Sequence, residues 1–366
     1  MKKTTVMAAA LLSSATAMAS LKVSVRSDYV NGGEYTNTLN SKVGSTSLLV
    51  PNLAEIDFGS KISDAEIKGR LNLREYDVVS NTPVMTPDKF VHYIYIVKPL
   101  GDFTVSAGKL VTNSGGAEAV RVIAADTYLI SLANGGIKAG NGMAVSANPA
   151  TGADYSALAT PGNASGVAAA YTMGDHKVEV QVQNATNSNT ATGNKRRHNI
   201  GVNYTGSFAS KMVAVNLGYI AGHTDTSSSE NNETYLNGGV ALNMGSVGVE
   251  LDYLSNKTIS TATNAKASSV TSIVAEARYK LGAITPILKV ESSENQLNED
   301  AATAGSFKRT GYAVAAEFVP KEGDNFRYHV AYAGVSDKYG QAGLANDTVK
   351  YNQIIVGFKY TGDILK

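Results

Sequence analysis

The chain contains no cysteine among its 366 residues. This absence excludes disulfide cross-links, a thiolate metal site and a cysteine nucleophile. Tryptophan is also absent, so 19 tyrosines and 8 phenylalanines must supply the large aromatic surface. No segment beyond the N-terminus reaches the roughly 18 uncharged apolar residues that a membrane-spanning helix needs. A helical membrane protein is therefore not predicted.

Neither sign of charge is in surplus, since the chain has 32 lysines and arginines against 31 aspartates and glutamates. A nucleic-acid-binding protein would carry a basic excess on one face. Catalytic and cofactor motifs are missing too. The five histidines lack metal-ligand spacing, there is no Gly-x-Ser-x-Gly elbow, and the glycine-rich 134–140 lacks the ending of a phosphate loop. We therefore predict no enzyme, no cofactor and no nucleic-acid partner.

The first nineteen residues have the three parts of a secretory signal peptide. Lys2 and Lys3 are basic, 4–12 is short and mostly apolar, and Ala17-Met18-Ala19 is a small-x-small cleavage site. A membrane anchor is the alternative, but the apolar part is too short to span about 30 Å as a helix. We predict cleavage after 1–19, which leaves 20–366 with 30 basic and 31 acidic residues (32 − 2 against 31).

Apolar and polar residues alternate with period two in segments of about ten residues, which is typical of strands. In 65–76, Ile67 and Leu71 fall on one face while Lys68 and Arg70 fall on the other. The same alternation recurs near 21–26, 55–58, 177–183, 247–253, 273–280, 326–332 and 353–360.

The connectors between these segments alternate between short and long. Seven short turns lie at 63–64, 100–102, 173–175, 205–207, 243–246, 281–282 and 320–324. Eight long connectors lie near 31–53, 77–89, 113–165, 185–195, 221–232, 255–268, 292–307 and 336–347. Fifteen connections join sixteen strands, with both termini on the short-turn side. Fourteen or eighteen strands remain alternatives, because such boundaries err by a few residues.

The fold class follows from the two faces of the strands. A soluble β-sandwich or β-solenoid also alternates, but its buried face carries few charges. Here the face opposite the apolar one is charged on nearly every strand, as an apolar exterior against lipid and a polar interior require. We predict an all-β protein whose single unit, 20–366, is a transmembrane antiparallel up-and-down barrel.

The segment Leu100-Gly-Asp-Phe-Thr-Val-Ser-Ala-Gly-Lys109 is a tight turn followed by an alternating strand. It resembles the strand before the constriction loop in the general porins of Gram-negative outer membranes, and the pattern of the whole chain from 20 onward is similar to that family. The resemblance implies a homotrimer and a long third loop, 113–165, that folds into the lumen. It also implies loop carboxylates at Glu118 and Asp126 that face basic wall residues, with these candidates: Arg26, Lys68, Arg70, Arg74 and Lys109. The alternative is that these charges only solvate the lumen.

Two features depart from that pattern. Porins commonly end on an aromatic of the last strand, whereas here 361–366 continues past Phe358 and Tyr360. Without tryptophan, tyrosine and phenylalanine alone would form the interfacial girdles. Small-residue stretches at 166–170 and 311–316 suit either trimer contacts or a crowded lumen.

A barrel of about sixteen strands leaves an aqueous channel. We therefore predict a pore in the cell outer membrane, surrounded by lipid, through which small hydrophilic solutes and ions diffuse passively. The inward-assigned charges are twelve basic and eight acidic, which predicts a mild anion preference. A substrate-specific channel and a barrel whose surface loops bind a partner or host are the alternatives.

Overall fold

A computed structural model describes residues 20–36, 41–73, 76–77, 82–83, 91–123, 126–134, 163–184, 198–225, 230–260, 266–297, 305–339 and 348–365. The predicted signal peptide 1–19 lies outside these residues, as do Arg74 and 135–162 of the predicted constriction loop.

Sixteen antiparallel strands form one closed barrel in which each strand pairs with its neighbours along the chain. β1 (Ser20–Thr36) closes the ring against β18 (Thr348–Leu365). The others are β2 (Ser41–Ile62), β3 (Ala65–Asn72), β6 (Val91–Leu100), β7 (Phe103–Leu110), β8 (Ala164–Met173), β9 (His176–Asn184), β10 (His198–Phe208), β11 (Val213–Asp225), β12 (Glu230–Met244), β13 (Val247–Ser260), β14 (Lys266–Tyr279), β15 (Ile284–Leu297), β16 (Gly305–Phe318) and β17 (Phe326–Tyr339). β4 (Tyr76–Asp77) and β5 (Thr82–Pro83) form a separate two-residue hairpin.

The predicted fold class and the count of sixteen strands are confirmed, and both chain ends lie on the short-turn side. Several connector predictions are wrong. Four of the predicted long connectors consist mostly of strand: 31–53, 221–232, 255–268 and 292–307. Residues 31–53 are almost entirely strand, since only 37–40 separate β1 from β2. The turn predicted at 205–207 lies instead at 209–212, where Ala209, Ser210 and Lys211 have positive φ.

Alternation along each strand separates an apolar outer face from a polar inner face. On β9, Val178, Val180 and Val182 are exposed, whereas Gln181 and Gln183 are buried. Other strands expose large apolar residues in the same way, among them Val167, Ile200, Leu217, Leu236, Leu251, Ile273, Leu288, Val314, Val330 and Ile354. The outer surface of the barrel is thus a continuous apolar band.

Both small-residue stretches place their buried members on the inner face. Ala168 and Ala170 on β8 are buried, as are Ala313 and Ala315 on β16. The residues between them, such as Val167 and Val314, point outward. Of the two readings of these stretches, the crowded lumen is the one that the structure supports.

The C-terminal extension continues the last strand rather than leaving the barrel. Leu21 pairs with Leu365, and Lys22 with Asp363. Only two short helical segments occur among the described residues: α1 (Ala117–Ile123) and a 3-10 turn (Leu132–Asn134). In this part of the chain no helix is long and apolar enough to cross a membrane.

Candidate functional site

The described residues 111–123 and 126–134, here called the inner loop, follow β7 and lie inside the barrel. The loop enters along β11 and β12, where backbone meets backbone. Gly115 has φ +80°, and a Cβ there would lie 2.3 Å from the amide nitrogen of Gly218. The Gly116 amide donates to the carbonyl of Asn216 at 3.3 Å. Glycine is needed at this crossing because the loop lies directly on the wall.

The first turn of α1 is bound by a carboxylate of the wall. Asp252 on β13 accepts hydrogen bonds from the amides of Ala117, at 2.6 Å, and Glu118, at 2.8 Å. These amides have no partner within the helix, so Asp252 satisfies them from outside. A Cβ at Gly239 would lie 2.6 Å from the Ala117 nitrogen, so glycine there lets α1 approach the wall.

Arg121 at the other end of α1 faces an acidic part of the same wall. Its guanidinium pairs with Glu250 on β13 and, at 3.3 Å, with Glu276 on β14. Desolvation lowers the pKa of Arg121, but its hydrogen bond to Glu250 and the nearby charges of Glu276, Glu250 and Asp126 together outweigh this effect and raise the pKa. The loop cation thus stays charged against two wall carboxylates.

A buried ion pair holds the middle of the loop. The Lys289 ammonium on β15 donates to Glu118 at 2.6 Å, to the Thr127 hydroxyl at 2.9 Å and to the Leu129 carbonyl at 2.6 Å. Glu118 also accepts from the amide of Ser131 at 2.9 Å. All three protons of Lys289 have acceptors, as a charge out of contact with water requires.

Asp126 lies beyond α1 and faces a basic part of the wall. It accepts from Arg327 on β17 at 2.5 Å and from Lys359 on β18 at 2.7 Å. Burial raises the pKa of this carboxyl, but the two cations outweigh burial and lower it to about 2. Asp126 is therefore ionised at any physiological pH.

The lowered pKa of Asp126 makes the docking of the inner loop depend on pH in the acid range. The pKa of Asp126 rises from about 2 when docked to 3.8 when free, so docking gains about 2 kcal/mol. That gain is complete above pH 3.8 and is lost as the pH falls through 2. We expect Asp126→Asn to increase single-channel current noise at pH 7 and to match the wild type near pH 2. A difference that stays constant from pH 7 to pH 2 would contradict the assignment.

Apolar contacts also hold the inner loop against the wall, along a row of buried residues here called the apolar seam. Leu129 and Leu132 of the loop are 0% exposed, and Tyr128 and Ala133 are buried beside them. They belong to one cluster with the inner faces of β1 and β13–β18: Val30, Leu254, Val270, Val274, Ile287, Ala313, Ala315, Ala331, Ala333, Val335, Tyr351 and Ile355. Small wall residues leave room for the leucines, so this side of the lumen is packed like the core of a soluble domain.

Arg26 belongs to this docked side and does not face open lumen. It is fully buried, donates to Asp28 at 2.9 Å and to the Thr127 carbonyl at 3.4 Å, and lies 4.9 Å over the ring of Tyr128. His329 lies 2.8 Å from the other side of Asp28. Arg26 on the wall thus contacts the inner loop at Thr127 and Tyr128 and helps to hold it in place.

The order of charges along the loop complements the order around the wall. Arg121 meets the acidic inner face of β13 and β14, whereas Asp126 meets the basic inner face of β17 and β18, and Glu118 meets Lys289 between them. A docking shifted along the wall would bring like charges together, so this order fixes the position of the loop.

Among the described residues, the remaining part of the lumen lies between α1 and the strands β3, β6–β9 and β11. It contains a cavity of about 660 Å³. Ala119 and Val120 form its α1 side. The strands contribute charged, polar and apolar side chains: Lys68, Arg70, Tyr95, Val97, Thr104, Ser106, Ala168, Ala170, Lys177, Glu179, Gln181 and Asn216.

The structure brings together only part of the predicted site. Lys68 and Arg70 line the open cavity, as placed by the alternation on β3. Arg70 also pairs with Asp57 at 2.5 Å and with Glu55 at 2.9 Å. Arg74 lies outside the described residues.

The predicted partners of Glu118 and Asp126 need correction. These carboxylates do not pair with Lys68 or Arg70 across the opening, because the loop turns them toward the wall on which it lies. The true partners are Lys289, Arg327 and Lys359. They are among the twelve basic residues that the alternation assigns to the inner face, but they are not among the predicted site residues. Whether Glu118 and Asp126 determine the narrowest point stays a prediction.

The prediction that Lys109 lines the lumen is also wrong. It shares a face of β7 with Phe103 and Val105, which are exposed on the outer surface, whereas Thr104 and Ser106 line the cavity. Its ammonium donates to the Val91 carbonyl at 2.5 Å. Lys109 therefore caps the end of a strand instead of lining the lumen.

Comparisons with known proteins find similar folds among solved structures only. No family model matches the sequence, and no curated protein matches it either. Solved structures do match the fold. An anion-selective porin from Comamonas acidovorans aligns with a TM-score of 0.60 at 10% identity, over 93% of this chain and 98% of that one.

The fold is that of outer-membrane porins.

Two further structures agree. OmpT of Vibrio cholerae, folded in vitro and described in its trimer form, aligns with a TM-score of 0.56 at 12% identity, over 94% of this chain and 100% of that one. The outer-membrane channel DcaP of Acinetobacter baumannii aligns with a TM-score of 0.55 at 10% identity, over 93% and 96%. At identities of 10–12% the chain shares its architecture with these proteins, and the similarity shows the fold alone.

Proposed function

We propose that this chain is an outer-membrane channel for the passive diffusion of small hydrophilic solutes and ions. One observation carries the proposal: a closed sixteen-strand barrel has its inner loop docked on one side only, which leaves a cavity of about 660 Å³ on the other. An apolar outer face suits lipid, and a polar inner face suits water. Cleavage after 1–19 and assembly as a homotrimer belong to the same proposal.

The experiment is conductance across a planar bilayer with the purified protein. We expect discrete steps that grow in proportion to salt concentration and do not saturate, because diffusion through water needs no binding site. Saturation by one solute class would favour a substrate-specific channel, and the absence of any conductance would contradict a pore.

A mild anion preference is part of the proposal. The residues that line the cavity indicate which charges would produce it. Most inward charges form ion pairs where the inner loop lies on the wall. The ion preference therefore depends on the charged residues that line the cavity. These are Lys68, Arg70 and Lys177 against Glu179. Each of these cations is paired: Lys177 with Glu179 at 2.5 Å, Lys68 with Glu66 at 3.1 Å, and Arg70 with Asp57 at 2.5 Å and Glu55 at 2.9 Å. This pairing keeps the preference small.

Charge reversal at the opening tests this preference. We expect the double variant Lys68→Glu/Lys177→Glu to move the reversal potential toward cations. The permeability ratio should change about fivefold, the factor that corresponds to about 1 kcal/mol. Lys98→Glu is the matched control, because Lys98 is an exposed lysine on the outer face of β6. Equal shifts for the two variants would contradict a role for the cavity wall.

A further inference from the structure

Three lysines lie side by side on the outer face of β16, β17 and β18. Lys308 stands directly opposite Lys338 in the register, and Lys350 pairs with Ser336, two residues from Lys338. All three side chains are exposed. They belong to the face that carries Tyr312, Val314, Val330 and Ile354, and therefore point away from the lumen.

The height of the lysines can be read from the register. Phe318 pairs with Tyr328 near the short-turn rim, and the Lys308–Lys338 pair lies ten positions further along both strands. Ten residues span about 33 Å of strand, or about 25 Å along the axis of a barrel with a tilt of 35–45°. The lipid-facing band of such barrels is about 25 Å tall. The lysines therefore lie where the apolar band ends at the long-loop side.

The surface next to the lysines carries neutral hydrogen-bonding groups. Thr310 pairs with Ser336, and Asn352 with Gly334, one step closer to the apolar band. Gly334 allows Asn352 and Tyr312 to lie closely over the strand, since a Cβ would lie 2.6 Å from the Asn352 Oδ1 and 3.1 Å from the ring of Tyr312. The surface next to the lysines is thus formed by an amide, two hydroxyl groups and an aromatic ring.

One carboxylate, Glu294 on β15, stands directly opposite Lys308 on the same outer face, whereas Lys338 and Lys350 have no carboxylate opposite them in the register. Like charges placed directly opposite on a sheet are destabilising, yet in the described part of the chain none of the three lysines forms an ion pair. Glu294 accepts from Gln296 at 3.1 Å. Three cations with adjacent hydroxyl and amide donors suit an anion with several acceptor oxygens.

We propose that this face of β16–β18 binds the headgroup of an anionic lipid through its phosphate. The patch lies at headgroup height, above a surface that the acyl chains would cover, and its lysines and hydroxyls match phosphate oxygens. The inference rests on the proposed location in an outer membrane, and it is independent of whether the lumen conducts.

Lipid retention tests the site. The protein is placed in nanodiscs of phosphatidylcholine doped with phosphatidylglycerol, and bound lipid is counted by native mass spectrometry after release into detergent. We expect the wild type to retain phosphatidylglycerol selectively. The variant Lys308→Gln/Lys338→Gln should bind it about thirtyfold more weakly, because each lysine near an anionic surface contributes about a factor of five.

Controls separate the alternatives. Lys257 is an outward lysine ten positions above Val247 on β13 and has no lysine opposite, so Lys257→Gln should retain lipid like the wild type. Equal losses in both variants would overturn the site, as would displacement of the lipid by inorganic phosphate alone. A change of oligomeric state without loss of lipid would assign the face to a second copy instead. Conductance of the double variant should be unchanged, which keeps this test separate from that of the channel.

Discussion

Replacement of Lys289 by methionine is expected to release the inner loop from the barrel wall. The variant keeps the volume of the side chain but leaves Glu118 buried without its cation. Breaking a buried ion pair by removing one partner costs about 3–5 kcal/mol, because the remaining charge stays desolvated. The docked loop bears this cost and the undocked loop does not. The docking equilibrium should therefore shift by about two to four powers of ten.

Conductance is the direct measurement, since a loop that leaves the wall changes the open cross-section of the lumen. We expect Lys289→Met to give larger and noisier single-channel steps and to make 117–134 accessible to proteases. The double variant Glu118→Gln/Lys289→Met should recover most of the wild-type behaviour, because neither partner is then charged.

The matched control is Lys280→Met, which removes a lysine that is 64% exposed near the end of β14. It should change neither conductance nor protease sensitivity, since exposed ion pairs contribute little. If Lys289→Met behaved like this control, the Glu118–Lys289 pair would not be what holds the loop.

The sequence could predict the barrel because strand geometry is local. Period two assigns each residue to the inner or outer face without any knowledge of its neighbours, and the connector pattern then counts the strands. The same rule would have placed Lys109 correctly, since it shares a parity with Phe103 and Val105. Its position directly before the inner loop favours a lumen site, and the alternation contradicts that site.

The wrong turn at 205–207 shows how a glycine can mislead. Gly206 lies within β10, and a Cβ there would be 2.2 Å from the Tyr204 hydroxyl and 2.7 Å from His176 Nδ1. His176 and Tyr204 form a 2.9 Å hydrogen bond over it. Glycine is thus needed for a close side-chain approach, whereas the real turn at 209–212 contains none. Both uses of glycine look alike in a sequence.

The partners of Glu118 and Asp126 could not be predicted for a different reason. Parity shows that Lys289 and Lys68 both face inward, but they stand on opposite sides of a ring of sixteen strands. The path of the inner loop decides which of them a loop carboxylate reaches. That path depends on Gly115 crossing Gly218 and on Leu129 and Leu132 filling the space over small wall residues. These contacts are long-range and have no local signature.

Leu132→Ala should have the second large effect, and it tests the apolar half of the docking. Leu132 is fully buried between the loop and the wall, and leucine-to-alanine changes at such positions cost about 2–5 kcal/mol. We expect faster hydrogen exchange of the amides in 117–134 and noisier currents, with the strands of the barrel still protected. The measurement is hydrogen exchange by mass spectrometry, in parallel with conductance.

Val120→Ala is the control within the same loop, because Val120 is 58% exposed toward the cavity. It should leave hydrogen exchange unchanged, and equal exchange in the two variants would contradict the seam. Measurements at different pH separate the contribution of apolar burial at Leu132 from that of the charge on Asp126. Apolar burial does not depend on protonation, whereas the contribution of Asp126 is lost between pH 3.8 and 2. The effect of Leu132→Ala should therefore persist in acid, where Asp126→Asn has none.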